Sequence, residues 1–306
     1  LSPLLDTILE KVPAVSGDSL KKQPLKMQVF NLAYDNFLGR MGVCRIYDGT
    51  VKDGQQLFVK DADGKTFTGK ITKLFTFEGM TKKETKQATA GDIVMIAGLP
   101  EIFIGQTLLD SEEGEPMPAI AVDEPIISLF VFVNSSPFAG RSGKFLTSRQ
   151  IRERLEKELE VNVGLKTDFS DGAKYKVYGR GELHLAVLIE NMRREGFELA
   201  VSQPEVIFKE VDGKKFEPFE EVSILVPEQF SGAVIEKLGK RRGVMTNMGT
   251  ENGEVKITFD VPTRGLLGYR NEFVVDTRGE GIMTSIFSDF APYAGNITKT
   301  ELGSMI

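Results

Sequence analysis

Residues Gly179 to Phe197 constrain the fold of this chain more than any other stretch. The run Gly179-Arg180-Gly181-Glu182-Leu183-His184-Leu185 continues through Val187, Leu188, Ile189, Asn191, Met192, Arg193 and Arg194 to Gly196-Phe197. Two glycines let a strand end and turn sharply. Leu185, Leu188, Ile189 and Met192 then recur at three- and four-residue spacing, which predicts a helix with one apolar face, and Gly196 supplies its stop. Upstream, Ile126 to Val133 is a continuous apolar run of strand length. Thr147 to Leu159 carries Ile151, Leu155 and Leu159 spaced by four, and Thr147 with Gln150 can form a capping box. With strands at Gly164 to Phe169, Lys174 to Tyr178 and Phe197 to Val201, the order is β-α-β-β-α-β, a split βαβ unit.

The same order recurs downstream. Glu220 to Val226, Glu254 to Val261 and Gly281 to Ser288 read as strands, and Ser231 to Arg242 and Leu266 to Val275 as helices. The N-terminal third reads differently. Lys26 to Ala33, Gly42 to Tyr47, Gln56 to Lys60, Phe67 to Phe77 and Ile93 to Gly98 are strand-like runs broken by glycine, with no long helix, which predicts a closed antiparallel barrel. Leu4, Leu5, Ile8 and Leu9 sit at helical spacing after Ser2-Pro3, Ser16 to Gln23 is a polar link, and Glu112 to Pro118 is an acidic, proline-bearing linker. The expected molecule is therefore multidomain: a helix and linker at 1–20, an antiparallel β-barrel at 21–118, and two α+β ferredoxin-like (split βαβ) domains at 119–210 and 211–296.

Composition excludes several chemistries. The 306 residues are 41% hydrophobic and 27% charged, ordinary for a globular chain, and a net charge of −6 argues against indiscriminate nucleic-acid binding. One cysteine precludes a disulfide framework, and one cysteine with one histidine cannot assemble a typical zinc site, so no metal is expected. Cys44 stands on a strand and reads as a small buried apolar residue. His184, at the start of a helix, reads as a packing or capping residue, with no nucleophile near it. The pairs Glu156 with Glu158 and Glu220 with Glu221 lie on solvated charged stretches. No apolar run reaches the length of a membrane span and no signal sequence opens the chain, so a reducing, cytoplasmic setting is expected, with no membrane partner.

Nucleotide binding has its own test. Gly64-Lys65-Thr66 ends like a phosphate loop, but Val59 stands where the first glycine is needed, and Asp61-Ala62-Asp63-Gly64-Lys65 reads as a hairpin turn. No Asn-Lys-x-Asp guanine-reading element occurs. The chain is expected to bind no GTP, to carry no catalysis and to hold no cofactor or small-molecule substrate.

The wording of several segments resembles ribosome-binding GTPases. Gly39, Gly42, Arg45, Gly49 and Gly54-Gln55, followed by Ala90-Gly91-Asp92-Ile93-Val94, resemble the second domain of translational GTPases. The Gly179–Phe197 run resembles their third domain. Three segments are similar to the BipA/TypA family: Asn134-Ser135-Ser136-Pro137-Phe138 with Gly143 to Arg149, Glu190 to Phe197, and Pro262 to Phe273 with Thr277-Arg278-Gly279-Glu280-Gly281. Elongation factor G and LepA share the second, third and fifth domains, so those architectures alone do not separate the families. The resemblance implies that residues 1–20 are the last helix and linker of a GTPase domain that is otherwise absent, and that residues 297–306 are the start of a truncated C-terminal domain. It also implies GTP and Mg as cofactors of an intact protein only.

Basic clusters are the candidate sites. Arg141, Lys144 and Arg149 share a glycine-bearing loop and the helix start behind it, a geometry that offers N–H groups and cations to phosphate. Lys237, Lys240, Arg241 and Arg242 gather at a helix end, and Arg264, Arg270 and Arg278 surround the segment that resembles the fifth domain. Solubility and helix-end electrostatics account for each one alone. Together with the resemblance they imply contact with the ribosome, both ribosomal RNA and ribosomal protein, in support of ribosome assembly and stress adaptation. The alternative from another class is a protein-interaction scaffold independent of RNA.

Overall fold

Strand β1 (Lys26–Asp35) shows how the first sheet is built: Met27 and Val29 point inward, a bulge between Val29 and Asn31 shifts the phase, and Leu32 points inward again. A computed structural model describes residues 2–12, 19–251 and 253–297. Part of the polar link expected at Ser16 to Gln23, and nearly all of the domain start at 297–306, lie outside the described residues. The chain forms two units, one of residues up to Asp123 with Glu153–Val163, the other of Glu124–Arg152 and the residues from Gly164 onward.

In the first unit, helix α1 (Ser2–Lys11) buries no residue, so its apolar stripe is open. The strands after β1 are β2 (Gly39–Asp48), β3 (Thr50–Lys52), β4 (Gln56–Lys60), β5 (Thr66–Lys70), β6 (Lys73–Glu78), β7 (Thr81–Glu84), β8 (Gln87–Thr89), β9 (Ile93–Ala97) and β10 (Thr107–Leu109). Eight pair in the order β5-β4-β10-β1-β2-β9-β6-β7, every pairing antiparallel, and β3 pairs with β8. Around this ladder Met27, Val29, Cys44, Ile46, Leu57, Val59, Leu74 and Ile96 form one apolar core. Burial pushes the Cys44 thiol far above its ordinary value and leaves it a packing residue. The single run expected at Phe67 to Phe77 is two strands. It breaks because Ile71 N–H donates to Gln55 O and Thr72 N–H to Ala97 O, a change of partner in mid-run. Asp61 to Lys65 is the expected hairpin turn: Asp61 N–H donates to Lys65 O, and Lys60 pairs with Thr66.

In the second unit β11 (Ile127–Val133), β12 (Lys166–Asp168), β13 (Lys174–Gly179) and β14 (Leu199–Val201) form an antiparallel sheet in the order β12-β13-β11-β14, with β15 (Glu205–Val206) also on β11. Two helices interleave with these strands in sequence, α2 (Ser148–Leu159) and α3 (Glu182–Glu195). The capping box forms as expected. Thr147 N–H donates to Gln150 Oε1 at 3.0 Å, and Gln150 N–H returns to Thr147 Oγ1 at 3.3 Å. Ile151 and Leu155 are fully buried on one face of α2. On α3, Leu185, Leu188 and Met192 are buried, and Gly196 ends the helix in the left-handed region at φ 97°.

Gly179 and Gly181 turn out to differ. A Cβ on Gly179 would come within 2.7 Å of buried Leu185, so Gly179 makes room for the helix. Gly181 is extended at φ −179° with open space around it, so the turn does not require its glycine.

The last sheet repeats the pattern with β16 (Lys209–Val211), β17 (Lys214–Pro227), β18 (Val244–Glu251), β19 (Glu254–Pro262) and β20 (Ile282–Pro292), ordered β16-β17-β19-β18 with β20 on β17. Helices α4 (Glu228–Lys240) and α6 (Tyr269–Asp276) pack Val234, Leu238, Tyr269 and Phe273 against Val222, Ile224, Ile257 and Phe259 of β17 and β19. Two expectations need correction here. β18 lies between the strands expected at Glu220 to Val226 and Glu254 to Val261, where the sequence reading places no strand. The single helix expected at Leu266 to Val275 is instead α5 (Thr263–Leu266) and α6, separated by Gly268 at φ 74°.

Candidate nucleic-acid interface

The loop that carries Arg141 and Lys144 is built around one carboxylate. Glu198, just before β14, is buried and accepts hydrogen bonds from the backbone N–H of Gly140 and Ser142, both at 2.9 Å, and of Gly143 at 3.1 Å. Asn134 Nδ2 donates to the same group at 2.8 Å. The N–H donors of Ser142 and Gly140, foremost among these, hold the carboxyl below the usual range. Lys144 and Phe145 N–H both donate to Gly196 O, and Phe145 packs on Phe197 at 4.8 Å between ring centroids, which ties the loop to the end of α3. With the inward groups so engaged, Arg141, Lys144 and Arg149 are exposed. Arg141 lies 5.0 Å over the ring of Phe138, itself exposed at the loop tip.

The structure separates the remaining candidates. Arg264 is an internal brace: its guanidinium takes both oxygens of the fully buried Glu217 and the carbonyl of Gly295. Arg241 donates to Gly265 O at 2.8 Å and to Glu272 at 2.7 Å, and lies over Tyr269, whose hydroxyl is pushed up to about 12 chiefly by burial. Lys237 pairs with Asp276 at 2.8 Å, which raises its ammonium above the ordinary lysine value, and Lys240 pairs with Glu236 at 2.5 Å. Arg242 donates to Asn296 O at 3.0 Å. Arg270 and Arg278 are exposed on and after α6, and Arg242 and Arg278 both adopt left-handed backbone, at φ 69° and 52°. Of the ten candidate cations, Arg264 and Arg241 are thus engaged within the last α/β unit.

His184 accepts from Arg180 N–H at 3.3 Å through Nδ1, a role in the turn before α3. Within the second unit a cavity of about 1250 Å³ opens between the end of the first α/β sheet and α4, lined among others by Tyr178, Lys176, Phe208, Lys237 and Lys240. Sequence reasoning missed this site and Glu198. The alternation Lys174-Tyr175-Lys176-Val177-Tyr178 was a signal for the first, since it places Lys174, Lys176 and Tyr178 on one face. Nothing in the sequence marked Glu198.

The modules are those of translation elongation factors. Residues 39–109 match the family model Elongation factor Tu domain 2, and residues 214–301 match Elongation factor G C-terminus. A solved structure from Thermus thermophilus shares the fold with a TM-score of 0.59 over 95% of this chain and 59% of that one, at 19% identity. Proteins named large ribosomal subunit assembly factor BipA align along the whole chain, with 48% identity in a Synechocystis species, 47% in Escherichia coli K12 and 42% in Bacillus subtilis. The chain belongs to the BipA/TypA family. It spans about half the length of these curated relatives, 51% of the Synechocystis protein and 50% of the Bacillus one.

Proposed function

We propose that this chain is the ribosome-docking part of a BipA/TypA-type GTPase, and that it binds ribosomal RNA together with ribosomal protein in support of large-subunit assembly and stress adaptation. On this reading the first unit carries a domain-2-type barrel, and the two later sheets, each with its four main strands ordered second-third-first-fourth, are ferredoxin-like domains of the split βαβ kind. The protein works in the cytoplasm.

The observation that carries the reading is the loop from Asn134 to Thr147. Its inward N–H groups are consumed by Glu198, so its cations face outward with their backbone already ordered. Little ordering entropy remains to be lost when a phosphate arrives. The kinship with large ribosomal subunit assembly factors supports the same partner.

GTP binding does not fit these residues. The one Gly-Lys-Thr lies at a hairpin between two strands, where no helix N-terminus presents N–H groups to phosphates. The chain therefore relies on the rest of an intact protein for GTP and Mg. The test is cosedimentation of the chain with purified ribosomal subunits. Retention in the large-subunit pellet at low salt, reversed by moderate salt, is expected. Absence from both pellets at low salt would overturn the reading.

A further inference from the structure

One face of the first α/β sheet has the chemistry of a base-stacking platform. Phe130 and Phe132 on β11 alternate with the inward Leu129 and Val131, and Lys174, Lys176 and Tyr178 on β13 share their face. Register sets Phe130 opposite Lys176 and Phe132 opposite Lys174. Lys176 Nζ lies 5.6 Å over the ring of Phe130 and 5.5 Å over that of Tyr178, and Lys174 Nζ lies 5.7 Å over Phe132. Both strands are central in the sheet, and the three rings are half-buried while Leu129, Val131, Tyr175 and Val177, the alternating residues of the same strands, are buried.

We propose that this face and the cavity it enters bind single-stranded RNA, with unpaired bases stacked on Phe132, Phe130 and Tyr178. The proposal rests on the RNA-docking reading above and gives it a second contact surface. Four-stranded sheets of this order that bind RNA in general place stacking aromatics on their two central strands. Phe130 and Phe132 stand two residues apart, about 7 Å along the strand, a spacing suited to splayed and not to helically stacked bases. A base on an aromatic ring is a stronger contact than a solvated ammonium, so the lysines yield the ring faces and turn to the flanking phosphates.

The cavity continues the track. Tyr178 and Lys176 meet Phe208 there, and Lys237 and Lys240 stand on its far wall. Its volume of about 1250 Å³ exceeds the roughly 300–1,000 Å³ that small-molecule sites occupy, as a strand of several nucleotides requires. Arg264, Lys237 and Lys240 also line it but are paired with Glu217, Asp276 and Glu236, so the phosphates are left to Lys174 and Lys176 on the sheet.

The test is fluorescence anisotropy of the whole chain with an end-labelled oligouridylate of about ten nucleotides, long enough for such a groove. Saturable binding is expected. Tyr178→Leu should weaken it at least about fivefold, and Tyr178→Phe, which restores the ring, should recover it. Lys174→Ala, at an exposed position, and Lys176→Ala, at a half-buried one, should each lower the slope of log affinity against log salt by about one. Loss of oligonucleotide binding in Tyr178→Leu without rescue by Tyr178→Phe would assign the effect to folding and overturn the stacking role. Absence of oligonucleotide binding in a chain that still pellets with ribosomal subunits would overturn this inference and leave the docking function standing.

Discussion

A single carboxylate decides where the loop cations point. Glu198→Gln removes the charge that gathers the N–H groups of Gly140, Ser142 and Gly143, so those amides should exchange with deuterium faster. Because the folded carboxyl titrates below its ordinary value, its stabilising contribution is present above the usual glutamate range and is lost as pH falls through the lowered value. Loop protection should therefore drop at acid pH in the parent chain but not in Glu198→Gln, and equal exchange in the two proteins at neutral pH would refute the clamp. Arg264 makes the opposite case. Its partner Glu217 is fully buried, so Arg264→Ala strands a charge and should cost about 3–5 kcal/mol by chemical denaturation. Its charge was legible in the sequence, but its burial depends on residues 47 and 31 positions away, Glu217 and Gly295, and no local pattern reports that. Arg278 offers a cleaner test of charge. Glycine suits its left-handed backbone, so Arg278→Gly should hold or raise stability by up to about 1 kcal/mol, and any loss of RNA affinity then belongs to the cation.

Elements were legible where burial imposes a period and illegible where it does not. The helix faces of α2 and α3 and the Thr147–Gln150 cap follow directly from spacing, because a helix that buries one stripe must repeat every three or four residues. Strand β7 is Thr81-Lys82-Lys83-Glu84, wholly exposed at the end of its ladder, so it has no alternation to read; its lysines are the usual protection of an edge. Three-residue strands such as β3, β8 and β10 are too short to show a period at all. β18 hides for a related reason, since Val244, Met245 and Met248 are all substantially exposed and a register shift interrupts the strand. Two substitutions test the turn before α3. Gly179→Ala, whose Cβ would meet Leu185, should destabilise by about 1–3 kcal/mol, and Gly181→Ala should stay within about 0.5 kcal/mol of the parent chain. Leu155→Ala, at a fully buried position of α2, should cost about 2–5 kcal/mol in the same denaturation experiment.

At the scale of the whole molecule, a chain of net charge −6 can bind RNA only through local surfaces, and those surfaces are held by its own carboxylates. Glu198 orders the exposed loop cations, while Glu217 and Glu272 hold Arg264 and Arg241 inside the last α/β unit. Removal of Arg241 should therefore damage folding before it damages docking, whereas Lys144→Ala with Arg149→Ala should leave the fold intact. Calorimetric titration with GTP and Mg should show no saturable heat, and micromolar one-site binding would contradict the hairpin reading of Gly64-Lys65-Thr66. The most direct test of the central claim is the salt dependence of ribosome binding by the parent chain and by the Lys144→Ala, Arg149→Ala double variant. Each lost phosphate contact should lower the slope of log affinity against log salt by about one, so the double variant should bind more weakly with a slope smaller by about two. Ribosome binding that is insensitive to salt, or equal slopes for the two proteins, would contradict RNA docking through this loop and favour a protein-binding scaffold.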